Sequence, residues 1–263
     1  MKIVFLMAGE GRRFMPYENV PKPLVRLAGI ELIKWAVNSY NFTGYCIDWS
    51  GIYFITRADH IKEFRMDEFL KKSFSPDVNI RFVEKTTRGP AETAMLVEKD
   101  IKPDEQVIVS DCDMFFNSLP LFGEMLNIKN DESVWGILPH VPRQDNQNSW
   151  SYVRLDKNNL VVKVKEKDLE MFNAGCAGIV GAYTFNRWRY FTDEARLMIK
   201  EGDMAGEDNK KEFYMSGVFQ RFIKAGHKVK GVNVYPSWIL GTPEQFEAFE
   251  DCIKGLKTNA RDR

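Results

Sequence analysis

The strongest constraint on the fold lies at the start of the chain, where residues 3–7 (Ile-Val-Phe-Leu-Met) give way to Ala8-Gly9-Glu10-Gly11. The run has the length and β-branching of a buried strand. The glycines that end it let the backbone turn tightly and approach a ligand with no Cβ in the way. Successive N–H groups in such a turn form a concavity for phosphate oxygens. Arg12, Arg13 and Lys22 follow within eleven residues of Gly11. A strand thus delivers a bare, donor-rich, cationic loop to one place, which is chemistry for a polyphosphate. Two familiar phosphate motifs do not apply. The dinucleotide fingerprint needs a third glycine opening a helix, but position 14 is Phe and Pro16 follows. The Walker loop needs Gly-Lys-Ser/Thr, which does not occur after this strand.

The next hundred residues alternate. Apolar residues at 32, 33, 36, 37 and 40 predict a helix over 30–40. Strands are expected at 52–56, 78–83 and 106–110, with an amphipathic helix at 59–72. The stretch 86–94 contains a Gly89-Pro90 break that opens a helix to about residue 99. Such alternation predicts a parallel, doubly wound sheet. Ligands of such sheets sit at the carboxyl ends of the strands. The first, third and fourth strands each end in a loop with functional character: the glycine–arginine loop, Arg88-Gly89, and Asp111-Cys112-Asp113.

Beyond residue 130 the texture changes. Strands are expected at 134–139, 151–156, 160–165, 178–185 and 228–234, and helices at 187–201 and 212–225. Residues 143–149 and 202–211 are polar loops. A last helix over 243–257 places Phe246, Phe249 and Ile253 on one face. The expectation is a single α/β domain over 1–258, with a mostly parallel or mixed Rossmann-like sheet flanked by helices. Residues 1–130 form its first half, 131–258 its second, and 259–263 a loose tail.

Lys+Arg and Asp+Glu both number 37, so the net charge of zero argues against nucleic acid or an anionic membrane as the main partner. No apolar run reaches the length of a membrane span, and residues 3–7 are too short for a secretory signal. Cys46, Cys112, Cys176 and Cys252 are scattered, which reads as reduced thiols in a cytoplasmic protein. His60, His140 and His227 form no cluster in the sequence.

Asp111 and Asp113 end an apolar strand, and alternation points both side chains the same way. Two close carboxylates repel unless a cation sits between them. Mg²⁺ takes such oxygens while keeping water and substrate phosphate as its other ligands. The bland alternative is a solvated turn or a helix cap for the segment at 118–128.

The longer pattern is Gly9-x-Gly11-x-Arg13-Phe14, a gap, Pro21-Lys22-Pro23-Leu24, then Gly29. Residues 3–32 closely resemble the superfamily of GT-A-like nucleotidyltransferases that activate sugar phosphates with nucleoside triphosphates. The resemblance implies that Met7, Ala8, Gly9, Glu10, Gly11, Arg12, Arg13 and Lys22 hold the triphosphate. It makes Arg13, Lys22 and Asp113 catalytic. Arg12 stands where the family usually has Ser or Thr, so either arginine could act. Asp113, followed by Phe115 and Phe116, fits the family's metal-binding aspartate, with Asp111 as the second ligand. Arg88, Gly89, Pro90 and Ala91 resemble the loop that contacts the nucleobase.

In the second half, Glu166 and Lys167 resemble the Glu-Lys pair that meets the acceptor's hydroxyls and phosphate. Asn173 and Gly178 belong to the strand region that follows, and Ser151 and Tyr152 lie where relatives place an acceptor loop. Trp150 could stack on a ring or fill the core. Gly241-Thr242-Pro243-Glu244 matches the family's turn into the final helix. Ile239 stands where many relatives have a second metal-binding aspartate; Glu212 is another candidate ligand. The implied activity is transfer of a nucleoside monophosphate from an NTP to a sugar phosphate or similar small phosphorylated acceptor, with Mg²⁺ as cofactor and pyrophosphate released. A looser likeness points to the capsule and surface-polysaccharide branch and is compatible with a homo-oligomer. Two rivals are a metal-dependent glycosyltransferase, which would use Asp111-Cys112-Asp113, and a non-catalytic nucleotide-binding regulatory paralogue.

Overall fold

The computed structural model describes residues 1–11, 14, 19–41, 48–143, 150–206 and 211–261. Arg12, Arg13, Cys46 and most of the two polar loops, residues 144–149 and 207–210, lie outside the described residues.

The first half runs β1 (Lys2–Leu6), β2 (Arg26–Leu27), β3 (Ile30–Glu31), α1 (Leu32–Asn41), β4 (Ile52–Arg57), α2 (Ala58–Phe64), α3 (Met66–Ser73), β5 (Asn79–Val83), α4 (Pro90–Ala94), β6 (Val107–Asp111), β7 (Met114–Phe116) and α5 (Leu119–Ile128). The second runs β8 (Val134–Val141), β9 (Ser151–Leu155), β10 (Val161–Glu166), α6 (Leu169–Asn173), β11 (Ala177–Ile179), β12 (Ala182–Phe185), α7 (Trp188–Glu201), α8 (Met215–Lys224), β13 (Lys228–Asn233), β14 (Ser237–Ile239) and α9 (Pro243–Arg261).

A ten-stranded sheet carries both halves in the order β10-β9-β11-β8-β12-β6-β1-β4-β5, with β13 beside β8. The strands β6, β1, β4 and β5 are parallel, as the alternation predicts. Strand β12 then runs antiparallel to both β6 and β8, and β11, β9 and β10 continue antiparallel, so the sheet is mixed. Side chains of β1 alternate between faces. Ile3 and Phe5 pack with α1, α3 and α5, whereas Val4 packs with α4, α7 and α8. A third cluster joins Phe14, Val25, Leu27, Leu240, Phe246 and Phe249, which ties the end of the glycine loop to α9.

Three expectations are corrected. The helix over 59–72 breaks at Arg65, which adopts φ 51°, and the break turns α3 so that Met66 and Leu70 are fully buried. The strand over 178–185 is two strands, because Gly181 turns at φ 76°. That turn lets β11 pair with β9 and β8 while β12 pairs with β6. The final helix continues through Arg261, into the stretch expected to be a loose tail. Residues 237–239, which carry no strand signal, pair as β14 with β7. Among the described residues no helix is long and apolar enough to cross a membrane.

Candidate functional site

The parallel strands β1, β4, β5 and β6 all end on one edge of the sheet, and the site is assembled there. The chain leaves the sheet at Met7, whose N–H donates to the Ile55 carbonyl at 2.8 Å. Met7 and Ala8 are buried, and Gly9 and Glu10 are exposed. Gly11 adopts φ 63°, and a Cβ there would lie 3.0 Å from the Lys22 Cβ. The glycine therefore sets the loop directly against Lys22. The Phe14 N–H donates to the Gly11 carbonyl at 2.9 Å, and the Phe14 ring sinks into the third cluster. Lys22 opens the 3₁₀ turn Lys22–Leu24, with its ammonium 5.2 Å from the Phe14 ring centroid.

The Lys22 ammonium forms an ion pair with Asp113 Oδ2, which joins two of the sequence-predicted catalytic residues across 91 positions. The side chains are only 16% and 20% exposed. Asp111 ends β6, and its N–H donates to the Gly181 carbonyl at 2.8 Å. A Cβ on Gly181 would lie 2.6 Å from Asp111 Oδ2, and one on Gly241 would lie 3.2 Å from Asp113 Oδ2. Both carboxylates thus occupy room that glycines leave. Burial holds the Asp111 carboxyl well above the usual carboxylate range, the Asp113 charge adds to this, and Lys22 opposes it. Cys112, between them, turns into the core. The register sets Ile239 opposite Met114, immediately after Asp113. Ile239 packs against the core cluster that holds Met114, so it brings no oxygen donor to the aspartate pair.

Glu166 ends β10 opposite Ser151 at the start of β9. Its Oε2 accepts from the Ser151 hydroxyl and, at 3.2 Å, from the Ser216 hydroxyl. Burial raises its pKa. Glu166 is near enough to Asp111 for the two charges to interact. Lys167 adopts φ 47°, donates its N–H to the Trp150 carbonyl at 2.9 Å, and places its ammonium 5.9 Å from the Tyr214 ring centroid. Lys22, Asp111, Asp113 and Glu166 are therefore neighbours at this edge of the sheet.

Other predicted residues are placed differently. Tyr152 is fully buried and meets Phe172 edge-on at 6.3 Å, so its side chain belongs to the core and not to an open acceptor surface. Trp150 is a core residue at 6% exposure. A Cβ on Gly178 would lie 2.1 Å from the Trp150 ring, so this glycine makes room for the indole and not for a ligand. Asn173 closes α6 on the surface. Gly89 adopts φ 146°, but the backbone it approaches is the chain's own: a Cβ there would lie 2.5 Å from the Phe213 nitrogen. The Phe213 N–H donates to the Arg88 carbonyl at 2.9 Å, and the Ala91 N–H to the Phe213 carbonyl at 3.0 Å. The Arg88 guanidinium is engaged by Glu92, and Pro90 starts α4. Glu212, the other candidate ligand, is exposed and pairs backbone to backbone with Ala205.

Sequence reasoning missed Ser216 and Tyr183. Tyr183 is 8% exposed, and the Asp111 and Glu166 charges both bear on its phenol. Ser216 carries no local signal, and Tyr183 only its place in the strand pattern after Gly178; both reach the site through tertiary pairing.

No family model matches the chain, and no curated protein matches it. Solved structures do. A nucleoside-diphosphate-sugar pyrophosphorylase from Vibrio cholerae shares 20% identity, with a TM-score of 0.74 over 95% of this chain and 99% of that one. An inositol-1-phosphate CTP transferase from T. maritima shares 18%, with a TM-score of 0.69 over 93% and 90%. A candidate glucose-1-phosphate thymidylyltransferase from Bacillus anthracis, in complex with a sucrose, shares 18%, with a TM-score of 0.73 over 96% and 94%. At these identities the likeness establishes architecture: this chain has the fold of the sugar-phosphate nucleotidyltransferases.

Proposed function

We propose that the protein is a Mg²⁺-dependent nucleotidyltransferase that joins a nucleoside monophosphate from an NTP to a sugar phosphate or similar small phosphorylated acceptor. The observation that carries this reading is the Lys22–Asp113 ion pair, which brings the glycine loop and the end of β6 to one point beside Asp111 and Glu166. An acceptor phosphate oxygen bonds to the α-phosphorus, the bond from that phosphorus to the bridging oxygen breaks, and pyrophosphate leaves. No covalent enzyme intermediate is needed, so catalysis rests on alignment and charge neutralisation. Gly9, Gly11 and the neighbouring backbone cradle phosphate oxygens. Lys22 neutralises charge that develops on the phosphates, and Arg13 or Arg12 shares that task. Glu166, braced by Ser151 and Ser216, accepts a hydrogen bond from the acceptor, and Lys167 holds its phosphate.

Asp113 and Asp111 fit a Mg²⁺ site: the donors are hard oxygens, and glycines 181 and 241 leave the carboxylates their space. Among the described residues no group of three His, Cys, Asp or Glu could hold a metal by itself. A Mg²⁺ held by these one or two carboxylates would take its other ligands from substrate phosphates and water. When bound, Mg²⁺ would supply a positive charge at the phosphates. The looser likeness to capsule enzymes supports a role in making activated polysaccharide precursors in the cytoplasm, where NTPs are available.

Pyrophosphate release, dependent on both NTP and acceptor, tests the reaction. A glycosyltransferase consuming a nucleotide-sugar releases none. Release that ignores the acceptor, or none with any of the four NTPs, speaks against the proposal.

A further inference from the structure

The Lys22 side chain is held along its length. Gly11 abuts its Cβ at 3.0 Å from the position a Cβ would take, the Phe14 ring lies 5.2 Å from the nitrogen, and Asp113 Oδ2 takes the charge. The pair is mostly buried, so its attraction is less screened than that of a surface ion pair. The same ammonium acts on Asp111, opposing the charge of Asp113 there. Lys22 therefore serves both carboxylates at once. A divalent cation seeking Asp113 Oδ2 meets a like charge already on that oxygen.

We propose that Lys22 is the resident counter-ion of the aspartate pair, and that it cedes Asp113 to the divalent cation only when a triphosphate offers its ammonium new oxygens. Metal then enters with the nucleotide and not before it. The inference rests on the reading of this edge as a nucleotidyl-transfer site, and it goes further by giving Lys22 a task before chemistry. It couples two events through one side chain: the phosphate that draws Lys22 away is also the group that completes the cation's coordination.

The test uses Mn²⁺ alone as the probe, titrated into the full-length protein without nucleotide and followed by electron paramagnetic resonance. Lys22→Met keeps the apolar stem over Phe14 and removes the charge. The expected result is Mn²⁺ binding at least about tenfold tighter in Lys22→Met than in the unaltered protein, from loss of a like charge a few ångströms away. Lys22→Arg, which keeps the charge, stays weak. Lys22→Gln is read in the same way and guards against a folding defect in one variant, with melting temperatures checking all four proteins. Equal or weaker binding in both neutral variants overturns the proposal and leaves the cation site standing. Absence of Mn²⁺ binding from every protein overturns the proposal together with the assignment of Asp111 and Asp113 as cation ligands.

Discussion

At the amino edge of the sheet Asn186 is fully buried, and the two N–H groups of its side-chain amide are shared among the carbonyls of Ile128, Asp131 and Val134 at 2.9–3.0 Å. Its oxygen accepts from Gln106 at 3.0 Å. At the carboxyl edge, on the other end of β6, Asp111, Asp113, Lys22 and Glu166 crowd together, and the Asp111 and Glu166 carboxyls are pushed upward by burial. Both edges are polar and partly or wholly buried. The first is satisfied by hydrogen bonds, with the Arg187 guanidinium at its rim; the second gathers three carboxylates around one ammonium. A buried neutral network adds stability when every member is satisfied. A cluster of desolvated like charges costs stability unless something else binds there. The contrast separates a satisfied packing network from a charge cluster that would gain by binding a cation or ligand.

Four predictions sharpen or break that contrast. The largest effect is on turnover. Asp113→Ala and Lys22→Ala should each lower kcat in the pyrophosphate-release assay by on the order of 10²–10³. Their melting transitions should remain cooperative. Near-normal turnover in either would remove that residue from the proposed chemistry. At the opposite edge the sign reverses. Asn186→Ala should lower the unfolding free energy by about 1–3 kcal/mol in urea, because it removes the buried hydrogen bonds that tie Gln106 to the 128–134 turn, while KM for the nucleotide stays the same. A smaller effect separates support from contact. Ser216→Ala loosens Glu166 and should raise KM for the acceptor several-fold without changing KM for the NTP, and Ser216→Thr should restore it.

The smallest effect is a pH trend. Burial lowers the pKa of His60 and His140 below the ordinary 6.5. Each folded-state pKa lies below the unfolded one, so each contributes stability that is present above about pH 6.5 and is lost as the pH falls below it. The histidine contribution to the melting temperature should decline between pH 7 and pH 5.5, while Asp111 and Glu166, whose raised pKa values make the folded state bind protons, contribute in the opposite direction. His140→Leu should flatten the decline, since the His140 Nδ1 is buried without a hydrogen-bond partner. An unchanged slope in that variant would reassign the trend to other groups.

Much of the parallel half was legible, because its signals are local. An apolar run closed by glycines marks β1 and its loop, and the run closed by Asp111 marks β6. The aspartates were found from the strand they terminate, and Lys22 from the Pro-Lys-Pro turn. What stayed hidden depends on distant partners. Gly89 reads as a glycine for ligand approach, yet the atoms it admits belong to Phe213, 124 positions on. Gly178 likewise admits Trp150. A glycine's sequence shows that something comes close and not what it is. Tyr152 alternates correctly along β9, but only the packing of α6 over that strand shows that its ring is covered. Ser216 gains meaning from its hydroxyl reaching Glu166, a contact across 50 residues. The break at Arg65 had no Gly or Pro to announce it; the demand to bury Met66 and Leu70 imposes it.

The central claim is that the carboxyl-edge site transfers a nucleotide to a phosphorylated acceptor. The most direct measurement is pyrophosphate release with Mg²⁺, each of the four NTPs in turn, and a panel of sugar 1-phosphates and other small phosphorylated compounds. The account predicts release with one NTP that requires one class of acceptor and disappears in Asp113→Ala. Silence across the panel, with no NTP raising the melting temperature, would contradict it.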